Sequence, residues 1–233
     1  MMKEKNKKTA LIVLAAIVIA SVFTVNAVSA QNLLTNPGAE TGDMSGWTII
    51  ANGGDGWRVG TIGEYEGPYE GDYYFGTSYE WCKRSQEVDL LAKGYTEAQL
   101  DAAPTVCAKE WFGQGNPYDR GKYYLKVELR DKDHNAIASW DSGEHWTTWR
   151  GSGAASWDQL TRDFSDYGPG LRYIYWEDGG KDENWWGHWY GAKLDAASLT
   201  TTVPVPAITP IGILALVGLL SIIAVSRIQR REK

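Results

Sequence analysis

Trp185 and Trp186 stand side by side between Gly180 and Gly187. Neighbouring side chains in extended chain point to opposite faces, so a single core cannot take both indoles. At least one is expected at the surface. An exposed aromatic face covers the apolar C–H side of a sugar ring, while a few fixed polar groups read its hydroxyls. Asp182 and Glu183 lie just ahead of the pair. Two carboxylates facing one bond would instead suit glycoside hydrolysis. Acidic residues are abundant here, so that adjacency carries little weight. No Gly-x-Ser-x-Gly, His-Glu-x-x-His or phosphate-loop pattern accompanies it. The reading is binding without catalysis. Cys82 and Cys107 form no C-x-x-C pair, and His134, His145 and His188 are widely spaced. No metal site and no cofactor are expected. A disulfide between Cys82 and Cys107 stays open, because spacing does not set geometry.

The two ends of the chain set an expected location for those residues. Met1 to Lys8 carries four lysines against Glu4, Ala10 to Val25 is nearly unbroken apolar sequence, and Val28-Ser29-Ala30 precedes Gln31. That order reads as a secretory signal over residues 1–30, with an uncleaved anchor as the alternative. Ile208 to Val225 is apolar apart from Thr209 and Ser221, and Arg227, Arg230, Arg231 and Lys233 follow it. Eighteen helical residues cover roughly 27 Å, close to the thickness of a hydrocarbon core. Residues 203–233 are therefore expected to form a proline-rich linker, a C-terminal transmembrane helix and a basic cytoplasmic tail. The protein would be tethered at the cell surface with its domain outside, or secreted if the tail is processed.

Between these ends, residues 31–202 amount to one domain. The whole chain has 23 basic and 29 acidic residues. Setting aside the eight basic and two acidic residues at the ends leaves 15 against 27, a net charge of −12. That sign disfavours nucleic acid, whose phosphates need the opposite charge. Short runs of period-2 alternation recur at Trp57–Ile62, Tyr73–Ser78, Tyr123–Leu129, Ile137–Trp140 and Leu171–Trp176. In the third, Tyr123, Leu125, Val127 and Leu129 share one face and Lys126 and Glu128 the other, the pattern of a strand with one buried side. Thr96 and Gln99 have capping-box spacing, and Glu97 to Ala103 are good helix formers before Pro104. The expected fold is all-β, an antiparallel sandwich or jelly roll with one short helix, plus the N-terminal signal segment and the C-terminal transmembrane helix.

Several motif blocks follow one another along the chain. They begin with Asn32-Leu33-Leu34-Thr35-Asn36-Pro37-Gly38-Ala39-Glu40, Gly46-Trp47 and Gly53-Gly54-Asp55-Gly56-Trp57. Ser78-Tyr79-Glu80-Trp81-Cys82, Lys109-Glu110-Trp111-Phe112 and Phe164-Ser165-Asp166-Tyr167-Gly168-Pro169-Gly170 follow, then Gly179-Gly180-Lys181-Asp182 and Trp186 to Gly191. In this order the blocks resemble the F-box-associated domain family, and the resemblance spans nearly all of residues 32–200. It implies an antiparallel, galactose-binding-like sandwich of about ten strands. In sugar-recognising members, loops at one end hold the inner chitobiose and core mannose of N-linked glycans.

Carried over position by position, the resemblance assigns sugar contacts to Tyr79, Asp119, Trp185 and Trp186. Gly187 stands where the family has a lysine, so one polar contact is missing or comes from elsewhere. Trp47, Trp57, Trp81, Trp111 and Trp189 are expected in the core. Trp140, His145, Trp146 and Trp149 form a second aromatic cluster outside the matching blocks. The expected partner is a glycan or glycoprotein, with the membrane reached through the C-terminal helix. No F-box fits before the domain in this reading, and no ubiquitin-ligase subunit is expected. A surface or adhesion spacer without a sugar site is the alternative.

Overall fold

The computed structural model describes residues 31–63, 67–115, 120–148, 156–184 and 188–202. The segments read as a signal and as a transmembrane helix, 1–30 and 203–233, lie outside the described residues. Among the described residues, no helix is long and apolar enough to cross a membrane.

Among the described residues, eleven strands, numbered in chain order, form two antiparallel sheets. The first sheet is ordered β1 (Thr48–Asn52), β4 (Cys82–Asp89), β10 (Tyr173–Asp182), β6 (Gly121–Arg130), β7 (Ala136–Asp141), and the two-residue β8 (His145–Trp146) also pairs with β6. The second is ordered β2 (Arg58–Thr61), β3 (Tyr73–Gly76), β11 (Lys193–Thr201), β5 (Val106–Gly113), β9 (Trp157–Phe164). All five alternating runs overlap strands. In β6, Tyr123, Leu125, Val127 and Leu129 are buried, and Lys126 pairs with Glu128 on the outer face at 2.8 Å. The short helix α1 (Glu97–Asp101) carries the expected capping box between Thr96 and Gln99, and it buries Leu100.

Alternation alone does not reveal β4, β5 or β11, because each buries charged residues. Arg84 in β4, Glu110 in β5, and Lys193 and Asp195 in β11 are all buried. Two of these meet between the sheets. Arg84 Nε donates to Asp178 Oδ1 at 2.8 Å, and its Nη2 donates to Asp178 Oδ2 and to Glu110 Oε1, both at 3.1 Å. The guanidinium also lies 3.6 Å from the Trp47 ring centroid and 3.8 Å from that of Phe75. Trp176 Nε1 donates to Asp178 Oδ2 at 2.8 Å. Burial and the charge of Asp178 push the Glu110 carboxyl well above the usual range against the pull of Arg84, which favours its protonated form.

A second buried carboxylate shapes β11. The register of β11 against β5 shifts between Asp195 and Ser198, with Ala196 at φ 50°. Asp195 Oδ2 accepts from the backbone N–H of Tyr69 at 2.7 Å and of Glu70 at 3.2 Å, and Oδ1 from that of Ala196 at 2.6 Å. Burial outweighs these three donors and moves its pKa from 3.8 up to about 7.

The structure closes the question left open for the cysteines: both thiols are free. Cys82 opens β4 beside Asn52 and Gly180 in the first sheet. Cys107 lies in the second sheet beside Thr200 and Asp163. Lys193, Gly113 and Trp157 mark the end of the second sheet that adjoins the Cys82 end of the first. At ~3.3 Å per residue, Cys107 lies about 20 Å along β5 from that end. A disulfide needs Cα atoms within roughly 7 Å, so opposite sheets and distant levels rule it out.

Arg84→Met would leave the buried Asp178 carboxylate without its cation and Glu110 without its donor, and is expected to cost about 3–5 kcal/mol in urea denaturation. Asp195 gives a pH signature. Its folded pKa is raised, so the folded state holds more protons than the unfolded chain between about pH 4 and about pH 7. Its contribution to stability therefore falls as pH rises through that window. Asp195→Asn should flatten that fall, measured as the wild-type-minus-variant difference in unfolding free energy at pH 4, 5.5 and 7.

Candidate functional site

The described parts of four connections converge at the end of the sandwich where β1, β3, β5 and β10 finish: residues 53–57, 77–81, 114–115 with 120, and 183–184 with 188–192. Ser78 ties three of them. Its Oγ accepts from the Asp55 N–H at 2.9 Å and donates to the His188 carbonyl at 2.8 Å, and its own carbonyl accepts from the Asp182 N–H at 2.9 Å. Asp55 Oδ2 completes the ring by accepting from the His188 N–H at 3.0 Å. Thr77 Oγ1 donates to the Ala192 carbonyl at 2.7 Å, and Trp189 Nε1 to that of Gly56 at 3.0 Å. Such close backbones leave no room for side chains. A Cβ on Gly191 would lie 2.3 Å from Thr77 Oγ1, and one on Gly53 would lie 2.8 Å from the Trp81 carbonyl. This is the physical content of the Gly-Gly-Asp-Gly and Ser-Tyr-Glu-Trp-Cys motifs.

Beside the clamp lies a cleft of about 620 Å³. Ala51, Asn52 and Gly53 form one wall, Tyr79, Glu80 and Trp81 a second, and Lys181, Asp182 and Glu183 the third. Tyr79 is half-buried on the cleft wall. Trp81 corrects the expectation of a core residue: it is half-buried on the cleft wall. Its ring meets Tyr124 edge-on at 5.4 Å, with Lys83 Nζ 5.4 Å and Lys181 Nζ 5.8 Å from the centroid. The alternation of β4 could have flagged it, since Trp81 is in phase with outward Lys83 rather than inward Arg84.

The other three expected sugar contacts, Asp119, Trp185 and Trp186, lie outside the described residues, as does Gly187. The described chain beside them reaches this end: Gly115 packs so tightly on Gly191 that a Cβ would lie 2.0 Å from its carbonyl. Asp182 and Glu183, the carboxylates weighed for hydrolysis, have structural partners. Buried Asp182 Oδ1 accepts from the Glu183 N–H at 2.6 Å, while Glu183 Oε2 lies 3.5 Å from Lys122 Nζ and 3.8 Å from Lys181 Nζ. Among the described residues, no group of three His, Cys, Asp or Glu side chains is placed to hold a metal.

The remaining tryptophans divide. Trp47 is buried, Trp57 packs on the core, and Trp189 is half-buried between loops. Trp111 departs from the core expectation and faces outward from the second sheet, half-exposed. In the second aromatic cluster, Trp140 packs on the core, His145 stacks on Tyr123 at 5.6 Å, and Trp146 is exposed beneath Lys122. Trp149 lies outside the described residues.

Ser78→Ala removes the centre of the clamp and leaves buried backbone groups unpaired. It should cost about 1–3 kcal/mol. Hydrogen exchange should quicken at the Asp55 and His188 amides, and β6 amides should stay protected.

Comparisons with known proteins bear on the whole of this architecture. The family model described as "F-box associated region" matches residues 25–201, starting within the segment read as a signal. F-box only protein 2 of Bos taurus is 37% identical over 176 residues, covering 72% of this chain and 58% of the relative. F-box only protein 6 of Homo sapiens is 39% identical over 185 residues, covering 74% and 59%. The chain thus spans about three-fifths of the length of these relatives. Among solved structures, TmCBM61 in complex with β-1,4-galactotriose aligns with a TM-score of 0.49 at 18% identity, covering 74% of this chain and 99% of that one. These relatives overturn the expectation of a single-pass protein at the cell surface. The chain aligns over most of its length with F-box only proteins. By motif order, by the family model and by identity to these relatives, the chain belongs to the F-box associated family.

Proposed function

We propose that the cleft at the loop end binds the carbohydrate of a glycan or glycoprotein. The observation that carries this reading is that two half-buried aromatic side chains, Tyr79 and Trp81, open on one cleft whose rim bears the polar groups of Asn52, Glu80 and Lys181. A ring edge or face covers sugar C–H groups, and fixed amide, carboxylate and ammonium groups read hydroxyls. The hydrogen-bonded loops hold this arrangement before a ligand arrives, which lowers the ordering cost of binding. The family resemblance supports the same end of the sandwich, since it assigns sugar contacts to Tyr79, Asp119, Trp185 and Trp186.

Glycine at position 187 removes a family cation. Lys181, beside the Trp81 ring, is the cleft's own cation and is the group we assign to hydroxyl recognition in its place. Glu80, Asp182 and Glu183 outnumber it, so the cleft suits neutral sugars over acidic ones.

Titration calorimetry with a chitobiose-core glycan, alongside thermal melts, tests the proposal. Tyr79→Ala and Trp186→Ala should each weaken binding by about 1–3 kcal/mol, the range of an interface anchor. Their melting temperatures should stay near wild type, because loop positions contribute little to the core. Asp119→Asn should weaken binding less, since the amide keeps an acceptor and loses only the charge. Glycans ending in acidic sugars should bind more weakly than neutral ones. Equal binding by wild type, Tyr79→Ala and Trp186→Ala would remove the cleft from the account.

A further inference from the structure

The outer face of the second sheet carries an aromatic groove that shares no residue with the loop-end cleft. In β5, the outward positions include Lys109 and Trp111, and in β9 Gln159 lies directly across from Trp111. Tyr69, from the connection between β2 and β3, stacks on Trp111 with centroids 4.1 Å apart and planes 17° from parallel. Trp157 meets Tyr69 edge-on at 5.8 Å. The bulge of β11 at Ala196, Ala197 and Ser198 closes the other side, leaving a volume of about 310 Å³.

Two features distinguish this groove from an ordinary patch of surface. The first is how Tyr69 is held. The buried carboxylate of Asp195 grips the Tyr69 and Glu70 amides, and Gly38 packs against that carboxylate so closely that a Cβ would lie 3.0 Å from Oδ1. The ring is set from behind, while 40% of Tyr69 remains open to solvent. The second is the state of the polar groups. The Tyr69 hydroxyl, the Lys109 ammonium and the Gln159 amide make no hydrogen bond to any described residue, although each borders the groove. Asn32, by contrast, spends both side-chain atoms on Ala197, Leu34 and Leu199 and serves as wall.

We infer that this groove is a second carbohydrate site, which takes one ring of a neutral oligosaccharide against the Tyr69–Trp111 pair. The lining decides the ligand class. Lys109 and Glu70 supply one charge of each sign, so neither an anion nor a cation is favoured. An aromatic face beside an amide, a hydroxyl and an ammonium that bond to no described residue matches a ring with one C–H face and a rim of hydroxyls. The volume falls at the lower end for ligand pockets, about 300–1,000 Å³, which suits one or two rings rather than a branched antenna. The inference stands on these residues and is separate from the cleft reading.

The full chain, isotope-labelled at its tryptophans, is titrated with neutral unbranched tetrasaccharides of glucose, galactose, mannose and N-acetylglucosamine. The Trp111 indole N–H signal is identified as the one missing in Trp111→Phe. It should move with at least one of the four sugars, and equally in Tyr79→Ala, which disables the cleft alone. Trp111→Ala should lower affinity for that sugar about tenfold. Gln159→Ala, an exposed rim change that leaves folding intact, should lower it several-fold. A Trp111 signal that stays fixed up to millimolar concentrations of every sugar overturns the second site. A shift that disappears in Tyr79→Ala also overturns it, because the signal then reports the cleft. Loss of the cleft alone leaves the groove titration unchanged, so failure of either proposal can be told from failure of the other.

Discussion

One guanidinium spans the space between the two sheets. Arg84 takes both oxygens of Asp178 on its own sheet and one oxygen of Glu110 on the facing sheet, with all three side chains fully buried. Burying three ionisable groups costs more than an apolar core would, and the arrangement holds only while every member is present. Its return is in position. The planar fork fits a carboxylate in one orientation, and it packs against the rings of both Trp47 and Phe75. Trp47 in turn donates its indole N–H to Asn36, so the segment before β1 takes its place from the same cluster. Sliding one sheet over the other would break hydrogen bonds to buried charge, whereas apolar contacts alone would tolerate a small shift.

That fixed frame lets the loops at one end approach backbone to backbone. Ser78, Asp55 and Thr77 supply the hydrogen bonds, and glycines at 53 and 191 supply the room. Because small polar residues do the holding, the large aromatic side chains there are released from packing. Tyr79 and Trp81 open on a cleft beside Lys181. The same division of labour appears on the second sheet. There, buried Asp195 holds the connection that carries Tyr69, and Tyr69 is left half open against Trp111. In both places a small or buried polar group supplies rigidity and an aromatic ring supplies surface.

Strand alternation and turn residues made a β-sandwich legible from the sequence, because most of β6 and the first part of β10 follow the period of two and the runs read at β2, β3 and β7 also fall on strands, although β3 buries three residues in a row. It missed β1, β8 and β9, which bury little, and also β4, β5 and β11, whose inward or covered positions hold Arg84, Glu110, Lys193 and Asp195. A charge at a core position reads as surface until its partner is known, and the partners of Arg84 lie 26 and 94 residues away along the chain.

Tryptophan posed the reverse problem. By type alone Trp47, Trp81 and Trp111 are equivalent core candidates, yet one is buried, one lines a cleft and one faces out from a sheet. The order of motifs, the acidic balance and the short capped helix were determined by the sequence itself, since composition, turn chemistry and capping act between near neighbours. The tertiary structure alone decided which aromatic rings are left uncovered, and it kept Cys82 and Cys107 apart as free thiols. Both outcomes depend on which strand lies across from which, and that pairing is made by contacts between residues far apart in the chain.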